Sequence, residues 1–225
     1  NFGSGSSCEV TNGWFCTEWV RQHWSDTLQP ALFQHIELAA IAVGIGFAIA
    51  LALALAGFRY RLLDPPIGFL SDFLYTIPSL ALFQILVPFT GISLLTVEIA
   101  LVSYTLVILY RNMIEGLRAV PSEIIEVARG SGFTRAQTFT RVELPLALPA
   151  ILTGLRVATV STISIATIAP FVIAKGLGQP IYDALGQDVF KTEIFTAGGM
   201  VIALALISDT LLVVLQRALT PWVRA

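Results

Sequence analysis

Three charged side chains, Glu98, Arg156 and Asp209, stand inside long apolar runs, and a polar interruption at residues 126–145 separates two of those runs. An ionisable group in a lipid core costs roughly 2.5–3.5 kcal/mol on insertion scales, so each must find a partner, satisfy freed backbone or line a polar route. For Arg156 and Asp209 an inter-helix ion pair is the favoured reading. Glu98 suits the wall of a translocation route or a contact between subunits. Covalent chemistry is not indicated: no His/Asp/Ser set and no metal-ligand set recurs at useful spacing. The phosphate-cradling pattern G-x-x-x-x-G-K-[ST] is absent, and Lys175-Gly176 has the order reversed. The sequence therefore predicts no enzyme, no metal and no cofactor on this chain.

The composition says what must position these residues. Of 225 residues, 56% are hydrophobic and 12% charged, with a mean hydropathy of +0.79. A soluble domain carries about twice that charged fraction. Most side chains must face something other than water, which predicts an integral membrane protein. A net charge of −2 argues against a nucleic-acid partner.

Five apolar segments predict about five transmembrane helices in an all-α polytopic protein: 36–56, 66–89, 92–109, 146–173 and 195–215. The second is interrupted by Asp72, Pro78 and Pro88, and the fourth by Pro149, Arg156 and Pro170. Both are expected to be kinked or partly non-membrane. Pro78 beside Thr76 and Ser79 suits either a bend in a pore-lining helix or a span that starts there. Residues 1–34 form an extracytoplasmic segment whose part from 13 to 34, with Trp14, Trp19 and Trp24, predicts a short interfacial helix. Cys8 and Cys16 precede the first span, and a disulfide or two free thiols both fit.

Basic residues set the orientation. With the loop at 110–145 in the cytoplasm, nine arginines (Arg59, Arg61, Arg111, Arg118, Arg129, Arg135, Arg141, Arg217, Arg224) lie inside. Only Arg21, Lys175 and Lys191 lie outside. The N-terminus is then outside, residues 35–217 make the membrane domain, and a tail at 218–225 is cytoplasmic. Glu98 falls in the outer third of its span, and His35 and Glu37 at the outer end of theirs, expected at the interface.

The loop at 118–145 reads as two short helices. Ser122 is placed to cap the first, with Glu123 and Glu126 near its positive end. Gly130 and Gly132 break it. Thr134 caps a second helix through Arg141, expected to end before Leu144-Pro145. Such an elbow suits docking into a cleft of a soluble partner.

The spacing of Glu126, Ala128, Gly132, Val142, Leu144 and Pro145 resembles the pattern E-A-A-x3-G-x9-I-x-L-P of binding-protein-dependent ABC importer permeases. Further stretches are similar to permeases for osmoprotectants such as glycine betaine, choline and carnitine. They include His35 to Leu38, Thr76 to Leu82, Leu109 to Asn112, Val142 to Pro149, Gly154 to Thr159 and Gly176 to Gly178. The resemblance implies a type I importer permease in the inner membrane, with residues 118–145 as the coupling loop. It also implies a pair of ATPase subunits that carry the ATP and Mg, a second copy or a similar permease completing the pore, and an extracytoplasmic solute-binding protein. Glu126, Ala128 and Gly132 would then occupy the contact positions. A permease for an amino acid or a sulfonate, and a structural or ion-conducting membrane subunit, are the alternatives. Pro78, Ser79, Glu98, Arg156, Gly176 and Gly178 are candidates for the path or its gate, and both glycines equally suit an ordinary turn.

Overall fold

The computed structural model describes residues 12–186 and 189–224, and all of its regular elements are helical. A short helix, α1 (Thr17–Gln22), and a π-helical turn (Trp24–Leu28) lead into α2 (Gln29–Arg59). Next come α3 (Asp64–Thr76), α4 (Ser79–Thr90), α5 (Leu94–Arg118), α6 (Ser122–Gly130) and α7 (Arg135–Thr138). A second π-helical turn (Phe139–Glu143) precedes α8 (Leu144–Ile165), followed by a 3-10 segment (Ala166–Phe171), α9 (Gly178–Gly186) and α10 (Lys191–Leu219). Four stretches are long and apolar enough to cross a membrane: Trp24–Arg59, Leu94–Arg118, Arg135–Phe171 and Lys191–Leu219. The short helices α3 and α4 make a fifth crossing if they form one broken span.

The elements follow from their residues. Pro78 ends the helical run before it, because the residue preceding a proline is driven out of the α region. Ile77 accordingly has ψ 124° and terminates α3. Each π turn stands immediately before an X-Pro pair, Gln29-Pro30 or Leu144-Pro145. A proline has no N–H for the carbonyl four residues back and its ring crowds that carbonyl, so a widened turn is the local solution. Helix α5 outruns the expected end near Leu109. Tyr110, Met113, Ile114 and Leu117 are all buried, which continues an apolar stripe at helical spacing.

The chain folds as two compact units, one from Asn1–Ile41, Ser79–Leu101 and Thr162–Ile207, the other from Ala42–Pro78, Val102–Ser161 and Ser208–Ala225. The second packs small residues of α2 and α8 (Ala50, Ala54, Ala147) against Leu109, Tyr110 and Met113 of α5. Small residues let helices approach closely where hydrophobic exclusion from water gives no drive. Buried Tyr110 donates to Asp64 Oδ1 at 2.6 Å, and Arg118 Nη1 donates to Asp64 Oδ2 at 2.8 Å. Arg111 Nε donates to Asp72 Oδ1 at 3.0 Å, so α5 grips α3 through two carboxylates.

The first unit holds Ala31, Ala39, Ile163, Leu177 and Val201 in one cluster and Cys16, Trp19 and Leu28 in another. The short helix expected in the N-terminal segment is α1. Helix α1 has only six residues, and the segment then runs through the π turn into α2. Trp19 is buried, stacked on His23 at 4.6 Å and edge-on to Phe190 at 5.3 Å. Only Trp14 and Trp24 of the three are exposed. The proposed partner of Cys16, Cys8, lies outside the described residues.

Candidate coupling element and the polar residues of the spans

The elbow at 118–145 is built around one helix end. Pro121, at φ −60° and ψ 137°, is the N-cap of α6, so Ser122 is its first helical residue rather than its cap. At the other end Phe133 N donates to Ala128 O at 3.1 Å and Gly132 N donates to Arg129 O at 2.9 Å. These two bonds form a Schellman motif, which needs a left-handed residue at the first non-helical position. Gly132 fills it with φ +87°. Gly130 is still helical and only Gly132 turns the chain. The next residue but one starts again: Thr134 N donates to Gln137 Oε1 at 2.8 Å and Gln137 N donates to Thr134 Oγ1 at 3.3 Å, a capping box.

Two expectations change. The second short helix does not stop before Leu144-Pro145; it passes through the π turn into α8, so the elbow is continuous with a membrane-length helix. Leu144 and Pro145 are the start of that helix, with Leu144 packed on the core of the second unit. Ala128, expected at a contact position, is also less open than that expectation suggests. It is 8% exposed and faces inward, whereas Glu126 is exposed. Two apolar residues share the exposed surface of α6: Ile124 at 42% and Val127 at 69%. Their three-residue spacing puts them on one helical face. Sequence reasoning missed Val127. The signal was an apolar residue facing away from Ile125 and Ala128 on a nine-residue helix.

The candidate path residues separate into groups. Arg156 Nε and Nη2 donate to Asp209 Oδ1 and Oδ2 at 2.9 and 3.1 Å, a bidentate pair between α8 and α10. Arg156 Nη1 also donates to Gln216 Oε1 at 3.3 Å, while Gln216 Nε2 donates to Pro149 O at 3.2 Å. Planar guanidinium and carboxylate groups match in this fork geometry. Pro78 lies in the break between α3 and α4, where Tyr104 donates to Ile77 O, and Ser79 opens α4.

Glu98 is 8% exposed, and neither carboxylate oxygen has a hydrogen-bond partner among the described residues. His35 is wholly buried, not interfacial as expected. Its Nε2 lies 2.9 Å from Ile163 O and its Nδ1 accepts from Leu177 N at 3.2 Å. Those partners fix the neutral tautomer with the proton on Nε2. Gln34 Oε1 accepts from Gly176 N at 3.1 Å, so neighbouring α2 residues pin the loop that carries both glycines. Gly176 has φ +78°, and a side chain at Gly178 would run into the Thr167 backbone. Among the aromatic residues of the spans and the loops beside them, Phe83 and Tyr104 are core, Phe89 is exposed, and Phe171 packs edge-on against Tyr182 at 5.3 Å. No group of three or more His, Cys, Asp or Glu suited to a metal occurs among the described residues.

Several helices of membrane length, one of them continuous with an elbow, define the class as a multi-pass membrane protein. Residues 42–225 match the family described as binding-protein-dependent transport system inner membrane component, and the chain belongs to that family. It is 35% identical over 153 residues to the choline transport system permease protein OpuBB of Bacillus subtilis, covering 68% of this chain and 70% of that protein. It is 36% identical over 196 residues to the osmoprotectant import permease protein OsmW of Salmonella typhimurium, covering 84% and 90%. Among solved structures, an inward-facing MetNI methionine ABC transporter superposes with a TM-score of 0.77 at 20% identity, over 89% of this chain and 98% of that one. That last likeness concerns the fold alone. The chain is a multi-pass permease subunit of an ABC importer and not an enzyme; ATP hydrolysis lies on a partner subunit.

Proposed function

We propose that this chain forms half of the translocation path for a quaternary ammonium osmoprotectant of the glycine betaine, choline or carnitine type. The path is completed by a second copy or a similar permease. A pair of ATPase subunits, holding ATP and Mg, grips the elbow at 118–145, and a solute-binding protein docks on the opposite side. The N-terminus is outside and the C-terminus cytoplasmic, a reading supported by the excess of arginines at one set of loops.

The observation that carries this reading is the elbow itself. Helix α6 presents Ile124, Glu126 and Val127 outward, and its far end is locked by Gly132 to a capped turn that continues into α8. Force applied to that face is transmitted to a membrane helix without an intervening flexible loop. A coupling contact needs this combination of exposed apolar anchor and stiff connection. The solute class is supported by the two relatives named above and by Glu98, a buried carboxylate with no hydrogen-bond partner among the described residues.

The test is ATPase activity of the reconstituted complex with its binding protein, challenged with glycine betaine, choline, carnitine, an amino acid and a sulfonate. Stimulation by the quaternary ammonium compounds alone is expected. Stimulation by the amino acid or the sulfonate instead would reassign the solute while leaving the importer reading in place. In the same assay Glu98→Gln is expected to raise the solute concentration needed for half-maximal stimulation.

A further inference from the structure

The second unit contains a groove of about 970 Å³ beside the elbow, and five arginines converge on it: Arg59, Arg61, Arg118, Arg129 and Arg135. One carboxylate, Glu143, lines it with them. Arg118 is already committed to Asp64. The other four have no carboxylate within ion-pair distance among the described residues. Four guanidinium groups without a carboxylate partner, from the end of α2, the loop after it, α6 and α7, therefore face one concavity, with Arg59 also lying over the Tyr60 ring at 5.5 Å.

Topology alone asks only that basic residues lie on the cytoplasmic side, with no requirement that they share a groove. Sharing one raises the local potential and calls for an anion. The groove is apolar at its side as well, where Leu55, Phe58 and Phe139 contribute to the lining. The chain leaving α2 there exposes Leu62 at 90% and Leu63 at 43%. An anion with hydrocarbon attached fits both features, and basic pockets between helices at a membrane surface hold phospholipid head groups.

We propose that this groove is a binding site for an anionic phospholipid, its phosphate held by Arg59, Arg61, Arg129 and Arg135 and its acyl chains lying along Leu55 and Phe58. The leaflet, cytoplasmic, rests on the orientation proposed above. The phospholipid ties the end of α2 to the elbow through its head group.

The experiment uses the importer purified together with its ATPase, stripped of lipid in detergent and titrated with phosphatidylglycerol or phosphatidylcholine, with bound lipid counted by native mass spectrometry. Phosphatidylglycerol is expected to be retained in preference, and Arg61→Gln, Arg59→Gln and Arg135→Gln each to weaken retention by about fivefold. Arg61→Lys is expected to keep most of it. Equal retention of the two lipids, or unchanged phosphatidylglycerol retention in the three glutamine variants, overturns the proposal. Should Arg59→Gln or Arg135→Gln misfold, the Arg61→Gln change on the exposed loop still decides. Displacement of the lipid by millimolar inorganic phosphate would assign the groove to a free anion and overturn it. A membrane-impermeant thiol reagent on Arg61→Cys separates the two readings: labelling from outside refutes the orientation, while selective lipid retention stands on its own.

Discussion

Replacing Asp209 by leucine strands Arg156 inside a helix of membrane length. In the native protein the guanidinium has two bonds to the carboxylate, at 2.9 and 3.1 Å, and a third to Gln216 at 3.3 Å. The insertion cost of an unpaired arginine at mid-span is about 2.5–3.5 kcal/mol. The retained Gln216 bond offsets about 1 kcal/mol of that. The pair is also not sealed, with side-chain exposures of 29% and 35%, so part of the charge finds lipid head groups or water. A net loss of about 2 kcal/mol follows, equivalent to a fall in Tm of about 4–8 °C for a protein of this size. Arg156→Leu together with Asp209→Leu removes both charges and is expected to recover at least half of the loss, because the uncompensated charge and not the absent pair is the expensive species. Thermal unfolding of the four proteins in nanodiscs gives a double-mutant cycle, with a coupling of about 1–2 kcal/mol expected. A single variant as stable as wild type, together with zero coupling, would refute the view that this pair clamps α8 to α10.

Three further outcomes follow from the backbone geometry. Gly132→Val forces a branched residue to φ +87° with open space around it. Strain of about 1–2 kcal/mol then falls on the Schellman turn alone, and solute uptake is expected to drop sharply while the assembled complex still purifies. Gly178→Ala drives a methyl group into the Thr167 backbone, an overpacking cost of about 1–3 kcal/mol visible as a lower Tm. His35→Leu orphans Leu177 N and Ile163 O, which it currently satisfies; a loss of about 2–4 kcal/mol is expected, with hydrogen exchange of the Leu177 amide accelerated in proportion.

Much of this architecture was legible because it rests on local rules. The apolar runs gave the long helices, Pro78 gave the break between α3 and α4, and the Thr134-to-Gln137 spacing gave a helix start. The boundaries were harder for a definite reason. Arg111 and Arg118 look like the ends of a span, but they bond to Asp72 and Asp64 from a helix 39 and 54 residues away in sequence; only the partners explain why the helix continues. His35 read as interfacial for the same cause, since its two partners come from Ile163 and Leu177. The inward position of Ala128 and the exposure of Val127 depend on which side of α6 the core lies, and a nine-residue helix with apolar residues on both faces leaves that open. The two π turns, by contrast, were signalled by Pro30 and Pro145, though a proline equally often ends a helix or simply kinks it.

The most direct measurement is a cysteine placed at Val127, the most exposed apolar residue of α6, in the importer assembled with its ATPase. Cross-linking of that cysteine to the ATPase chain, with protection from an impermeant reagent added outside intact cells, is the result predicted. Labelling from outside, or no cross-link to any ATPase in a transport-competent particle, would contradict the account.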